Sequence, residues 1–289
     1  MNTLGLHGMV WVGGWSEREA REAIARTAEA GFDLIELPAL DPASFDVDLT
    51  ARLLEEHGLR AVASLGLTDD TDVSSTDPDA VARGRAVLGD ALALVRDLGG
   101  DYLGGVVYSK LGRYTEPASP QAVENSRASV AWLAEQARRS GITIGLEVVN
   151  RYESNVLNTH DDALAFITDT GADNVVVHLD TYHMNIEEPD FHSPLRGCGS
   201  KLGYLHVGES HRGALGTGTI DWDELFTAVH DVGYDGTITF ESFSSAVVHP
   251  SLSSTLAIWR NTWTDGAALA RNAHDFLMKG LGDSRQPGH

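Results

Sequence analysis

Two hydrophobic periods alternate along this chain from end to end. Short strand-like runs recur eight times, at Leu4 to Val10, Asp33 to Ala39, Arg60 to Leu67, Tyr102 to Ser109, Thr143 to Val149, Val175 to Asp180, Leu202 to Val207 and Thr237 to Phe243. Between them lie longer stretches with apolar residues three and four positions apart, the spacing of one helix face. Helix starts are marked chemically. Ser16 with Glu19 forms a capping box ahead of Ala20, Ala23, Ile24 and Thr27, and Gly31 closes that helix. Asp77-Pro78 and Ser119-Pro120 each set an N-cap before a proline at the first helical position, and Thr159 with Asp162 and Asp221 with Glu224 cap two further helices. A helix from Val47 to His57 stops at Gly58, a short one is expected around Pro194 to Gly199, and a last one over about Thr264 to Lys279.

Eight strand-then-helix units without a linker or low-complexity segment predict a closed parallel (β/α)8 TIM barrel, an α/β fold in a single domain. Its expected extent is residues 1–280, with a polar tail over 281–289. An open doubly wound sheet is the alternative, but Gly13-Gly14 do not make the Gly-x-Gly-x-x-Gly turn that such a nucleotide-binding sheet carries.

Composition narrows the partners. The chain has 289 residues with 21 basic and 42 acidic side chains, a net charge of −21. Such a surface repels phosphate backbones and anionic lipid, so neither nucleic acid nor membrane is expected as a partner. No apolar run nears the roughly 20 residues that span a bilayer. The single cysteine, Cys198, allows no intrachain disulfide, and the first residues carry no basic segment of a secretory signal; a cytoplasmic protein is expected.

Four strand ends carry metal-competent side chains: Glu147, Asp180, His206 and Glu241. Barrel enzymes place chemistry at the C-terminal ends of their strands, and each of these residues follows the last by roughly the 31 residues of one βα unit. Parity agrees. Ile144, Leu146 and Val148 alternate with Glu147; Val175, Val177 and Leu179 with Asp180; Leu205 and Val207 with His206; Ile238 and Phe240 with Glu241. With the apolar set against the helices, all four polar side chains face the barrel interior. Two Glu, one Asp and one His make a hard, oxygen-rich site suited to one divalent cation, Mn²⁺ first, with Mg²⁺ or Co²⁺ also compatible. By the same parity His178 lies one layer below Asp180 as a hydrogen-bonded core residue. Glu36, ending the second strand, can face the mouth too but is not included in the set.

Longer phrases carry a family likeness. Leu146-Glu-Val-Val-Asn-Arg-Tyr-Glu153, His178-Leu-Asp-Thr-Tyr-His-Met-Asn-Ile-Glu-Glu188, Leu205-His-Val-Gly-Glu-Ser-His-Arg212 and Phe240-Glu-Ser-Phe243, with Gly31-Phe-Asp-Leu-Ile-Glu36 and Ile258-Trp-Arg260, resemble the ketose 3-epimerases. These are the D-tagatose and D-allulose (psicose) 3-epimerases of the xylose-isomerase-like barrels, and the D-allulose branch is the most similar. The resemblance implies a free ketose as substrate, epimerised at C3 through a cis-enediolate, and a homodimer or homotetramer. It implies Glu147, Asp180, His206 and Glu241 as metal ligands, Glu147 and Glu241 as the acid/base pair, and Glu153, His183 and Arg212 as the groups that hold the O1 to O3 end of the sugar.

For the O4 to O6 end, His7, Trp11, Ser64, Tyr108, Lys110, Leu111, Phe243 and Trp259 stand near strand ends or in loops, and Tyr108, Phe243 and His7 are the substrate-binding candidates. Better-known family members carry a tyrosine at the position of His7 and an aromatic near Leu111, which leaves the preferred ketose open. Three other readings stay open at this point. An aldose-ketose or hydroxypyruvate-type isomerase would use the same barrel and a similar site. A metal-dependent abasic-site endonuclease would need a basic groove that a charge of −21 opposes. A sugar-binding barrel without catalysis would not need Glu147 and Glu241.

Overall fold

A computed structural model describes residues 2–283. Eight parallel strands close into one barrel in sequence order: β1 (Thr3–His7), β2 (Leu34–Pro38), β3 (Arg60–Leu67), β4 (Tyr102–Lys110), β5 (Thr143–Glu147), β6 (Val175–Asp180), β7 (Leu202–Val207) and β8 (Thr237–Phe240). The barrel shuts where β1 pairs with β8, Thr3 opposite Thr237 and Leu6 opposite Phe240. Helices α1 (Glu17–Glu29), α2 (Val47–His57), α3 (Pro78–Asp97), α4 (Pro120–Arg138) and α5 (His160–Thr170) follow the first five strands. After β6 come α6 (Thr181–Glu187) and α7 (His192–Cys198), after β7 α8 (Trp222–Asp231), and after β8 α9 (Pro250–Thr255) and α10 (Gly266–Asp283). Among the described residues no helix is long and apolar enough to cross a membrane.

The predicted caps work as expected. Ser16 and Glu19 close a capping box on α1, Asp77 and Ser119 accept backbone N–H bonds ahead of α3 and α4, and Thr159 does so for α5. Differences lie at the barrel mouth. β1 ends at His7 and Gly8–Val10 turn as a 3-10 helix; β5 stops at Glu147 and β8 at Phe240, short of the expected Val149 and Phe243. Residues beyond a strand end are as buried in the mouth as the strand itself, so hydrophobicity there continues after pairing has stopped. α6 and α9 replace expected loops, and α10 runs on to Asp283, past the expected end at Lys279. Of the expected tail over 281–289, residues 281–283 belong to α10 and 284–289 lie outside the described residues.

Two cores result. The larger lies between strands and helices, with Leu6, Ile35, Leu103, Ile144, Leu146, Leu179 and Phe240 on the outward strand faces. A smaller one fills the barrel floor with Leu34, Val62, Tyr102 and Tyr204. Tyr102 and Tyr204 stack there at 4.4 Å between ring centroids. Gly145 makes the room: a Cβ at that position would lie 1.8 Å from Tyr102 Oη. Above this floor the interior turns polar, with Glu36, His178 and His206 fully buried and the strand ends above them. That gradient, apolar at the bottom and ionisable at the top, is what a closed barrel with a functional C-terminal face requires.

Candidate metal centre

Asp180 and His206 are register partners on β6 and β7, whereas Glu147 pairs with His178, two residues below Asp180, and Glu241 follows the end of β8, two residues beyond the Thr239 that pairs with His206. Despite these offsets, Glu147, Asp180, His206 and Glu241 each present an atom within 4.8 Å of all the others, and all four are buried. His206 Nδ1 faces Glu147 Oε1 at 3.4 Å and Glu241 Oε1 at 3.6 Å but makes no hydrogen bond of good geometry. A buried ring nitrogen aimed between two carboxylates, with a third carboxylate adjacent, is a donor set that fits a hard divalent cation. Without positive charge, converging carboxylates in a low-dielectric mouth would repel.

Electrostatics reflect this crowding. Burial pushes Glu147 up to about 7, opposed by the neighbouring His206 and reinforced by Glu241 and Asp180. Burial acts to lower His206, yet Glu36 and Glu241 facing its ring hold it well above the ordinary histidine value. Glu36 accepts from His206 Nε2 at 2.9 Å and from Tyr204 Oη at 2.7 Å. His178, expected as a hydrogen-bonded core residue, is buried with neither ring nitrogen hydrogen-bonded; it stands edge-on to His206 with ring centroids 4.1 Å apart and also meets Tyr204 and Tyr102. It belongs to an alternative three-residue group with Glu147 and His206, which shares two members with the first.

Arg212 lies over these acids. Its Nη1 donates to Asp180 Oδ2 at 3.1 Å and to Glu241 Oε2 at 2.5 Å, and its guanidinium sits 4.0 Å from the Tyr182 ring centroid and 5.1 Å from that of Phe243. Arg212 adopts φ 57°, rare for a residue with a side chain. The loop compensates by tethering: Arg212 N–H donates to the Glu209 carbonyl, and the Arg212 carbonyl accepts from Ser242 Oγ and Thr262 Oγ1. The Glu209 carboxylate in turn gathers N–H groups of Ser210, Gly216 and Ile220 and the Trp222 indole.

Asn150 organises the opposite wall. Its backbone N–H donates to His183 Nδ1 at 3.1 Å, which makes that nitrogen the acceptor and leaves Nε2 toward Asp180 Oδ2 at 3.6 Å. Its Nδ2 donates to Glu153 Oε1 at 2.9 Å and lies 2.8 Å from His183 Nδ1. Burial, opposed by Arg212 and the Asn150 bond, raises Glu153 to about 7. Burial and Arg212 hold His183 neutral, well below its ordinary value. Sequence reasoning did not single out Asn150; its position three residues after a strand-end glutamate was the only local signal.

Above the centre opens a cleft lined by Glu147, Glu153, His183, Arg212 and Glu241 and by His7, Ser64, Leu111, Phe243, Leu252 and Leu256. His7 and Phe243 therefore border the cleft as expected, with Ser64 and Leu111. Tyr108 does not. It is fully buried on the outer side of β4, where its hydroxyl donates to the Glu147 carbonyl at 2.8 Å and its ring meets Phe166 of α5. Trp11, Lys110 and Trp259 are also away from the cleft lining; Trp11 bonds Thr27 of α1, and Trp259 is 73% exposed.

The model of the xylose isomerase-like TIM barrel family matches residues 24–278. A ketose 3-epimerase of Arthrobacter globiformis is 50% identical over 278 residues, 96% of each chain. The chain belongs to the ketose 3-epimerases. An L-ribulose 3-epimerase of Mesorhizobium japonicum is 46% identical over 286 residues, covering 99% of this chain and 96% of that one. Among solved structures, a D-allulose 3-epimerase from Methylomonas sp. in complex with D-allulose superposes with a TM-score of 0.95 at 50% identity, covering 96% of both chains. For a ketose 3-epimerase the arrangement is chemically coherent: a cation-competent cluster of three buried acids and one histidine bordering a cleft, with a guanidinium bonded to two of the acids.

Proposed function

We propose that this chain interconverts free ketoses that differ at C3, with D-allulose and D-fructose as the hexose pair and L-ribulose as a pentose substrate. The observation that carries the reading is the pair Glu147 and Glu241, each facing the same nitrogen of His206 from the end of a different strand. The names of the similar proteins support the two substrates. Epimerisation requires the C3 proton to leave one face and a proton to return to the other, and two carboxylates on opposite sides do this with no further acid. One glutamate takes the proton, giving the cis-enediolate, and the other delivers one to the far face; their roles exchange with the direction of reaction.

Glu147, Asp180, His206 and Glu241 would hold one divalent cation, Mn²⁺ by the hardness of the donor set, which polarises the C2 carbonyl and makes the C3 proton easier to remove. Arg212 and His183 bind O1 and O2 and oppose developing oxyanion charge. Glu153, tied to Asn150, binds O1 and orients the sugar. The wall formed by His7, Ser64, Leu111 and Phe243 takes the O4 to O6 end. A cytoplasmic homodimer or homotetramer is part of the same reading and rests on the family and on the single cysteine. Incubating D-allulose with the Mn²⁺-treated protein in D₂O and reading the products by NMR tests it: deuterium at C3 is expected, and label confined to C1 would mean an aldose-ketose isomerase instead.

A further inference from the structure

Glu36 is a buried carboxylate that touches neither substrate cleft nor solvent. It points into the barrel from β2, is 0% exposed, and is absent from the cleft lining. One oxygen, Oε2, accepts from both His206 Nε2 at 2.9 Å and Tyr204 Oη at 2.7 Å. The other faces His7 Nε2 at 3.8 Å without a hydrogen bond. Among the described residues no lysine or arginine pairs with it, and its charge faces His206 and His7 within the barrel. Burying a carboxylate this way is expensive, and an amide would serve Tyr204 equally well as an acceptor. What an amide would not supply is negative charge behind the ring whose opposite nitrogen, Nδ1, faces Glu147 and Glu241.

We propose that Glu36 is a positioning residue that fixes His206 with its proton on Nε2 and strengthens Nδ1 as the ligand atom turned toward the cation. A carboxylate behind a ligating histidine fixes both the tautomer and the ring angle, and its loss typically weakens metal binding by 10–100-fold. This rests on the reading of Glu147, Asp180, His206 and Glu241 as the ligands. It also accounts for the parity of Glu36, which is that of the ligands themselves, one level deeper.

The test is Mn²⁺ titration calorimetry on full-length protein stripped with chelator, comparing wild type with Glu36→Gln, Tyr204→Phe and His206→Ala, with thermal melting as a folding control. Glu36→Gln should bind Mn²⁺ at least about tenfold more weakly, whereas Tyr204→Phe, which removes the other donor to the same oxygen, should stay near wild type. Equal losses in both would mean that Glu36 only supports packing, and wild-type affinity in a folded Glu36→Gln would overturn the proposal. Wild type failing to bind Mn²⁺, or His206→Ala binding as tightly, would instead overturn the ligand reading beneath it. A measurement free of variants runs alongside: in Mg²⁺-loaded wild type, ¹⁵N NMR should find the His206 proton on Nε2, and a proton on Nδ1 would sink the assignment.

Discussion

Arg212 Nη1 lies 2.5 Å from Glu241 Oε2, so a guanidinium holds one of the two carboxylates proposed as the acid/base pair. The same nitrogen reaches Asp180, which puts permanent positive charge directly beside the cation cluster. Arg212 and a bound cation therefore compete electrostatically for the same carboxylates, while in the proposed reaction both oppose the developing oxyanion charge. Arg212→Ala should bind Mn²⁺ more tightly than wild type and yet lose turnover on the order of 10²–10³-fold, the typical loss for one oxyanion-stabilising donor. Calorimetry and a D-allulose assay on the same preparation read the two opposite signs. A parallel fall in both would show that Arg212 merely holds the loop together.

In the proposed two-base scheme Glu147, ending β5, and Glu241, just past β8, reach C3 from opposite sides. Replacing either by Gln should cut epimerisation by about 10²–10⁴-fold, the usual worth of a positioned acid or base. The two variants should differ in a finer respect. Each keeps one base, so each should wash solvent deuterium into C3 of one epimer without inverting it, and the epimer should switch between variants. NMR of D-allulose and D-fructose recovered from D₂O distinguishes this from a single-base scheme, in which one variant would retain both exchange and epimerisation.

Cation binding should rise with pH across neutrality. Burial raises Glu147 to about 7, so between the ordinary carboxylate value and that pH the folded chain carries a proton there that the unfolded chain has already released. His206, held above its usual value by Glu36 and Glu241, retains a second proton. In the metal-free chain the raised carboxylate favours folding less as pH climbs from its unfolded value through about 7. A cation must displace both protons, and affinity then increases by up to about tenfold per pH unit for each proton released. At one fixed Mn²⁺ concentration, the gain in melting temperature over metal-free protein should be larger at pH 8 than at pH 5.5. An equal gain at both would place the cation elsewhere.

Asn150 links two groups that sequence reasoning treated separately. Through its backbone and side chain it bonds His183 Nδ1, and its side chain bonds Glu153 Oε1. Asn150→Ala should leave both free to shift, raising KM for D-allulose and lowering kcat/KM on the order of 10²-fold, as sub-ångström positioning errors do. Steady-state kinetics with a matched melting curve check it; unchanged KM would mean that Glu153 and His183 are held by the cleft alone.

How far the chain could be read follows from which signals are local. Strand parity and helix caps are properties of a few consecutive residues, and they sufficed for the barrel and for bringing Glu147, Asp180, His206 and Glu241 to one face. Strand ends were not local: Val148 and Val149 are as buried as β5 itself, and only the neighbouring strand's pairing shows that the ladder has stopped at Glu147. α6 and α9 are 7 and 6 residues long, too short for a helical period to declare itself. Glu36 shares the ligands' parity and could be told from them only by register, which sets it behind the His206 ring.

Tyr108 shows the same limit in reverse and supplies a sharp contrast. Near the end of a strand, an aromatic with a hydroxyl reads as a sugar contact, yet its side chain faces the helices and its hydroxyl donates to the carbonyl of Glu147, with the Leu157 carbonyl 3.5 Å away. It braces the strand that carries Glu147 from outside the barrel. Tyr108→Phe deletes that bond while keeping the ring against Phe166. Stability should fall by about 1 kcal/mol, the net worth of a typical hydrogen bond. KM for D-allulose should stay at the wild-type value, since no atom of Tyr108 borders the cleft. Chemical denaturation and steady-state kinetics on one preparation separate the two roles: a raised KM at unchanged stability would return Tyr108 to the substrate, against its position behind β4.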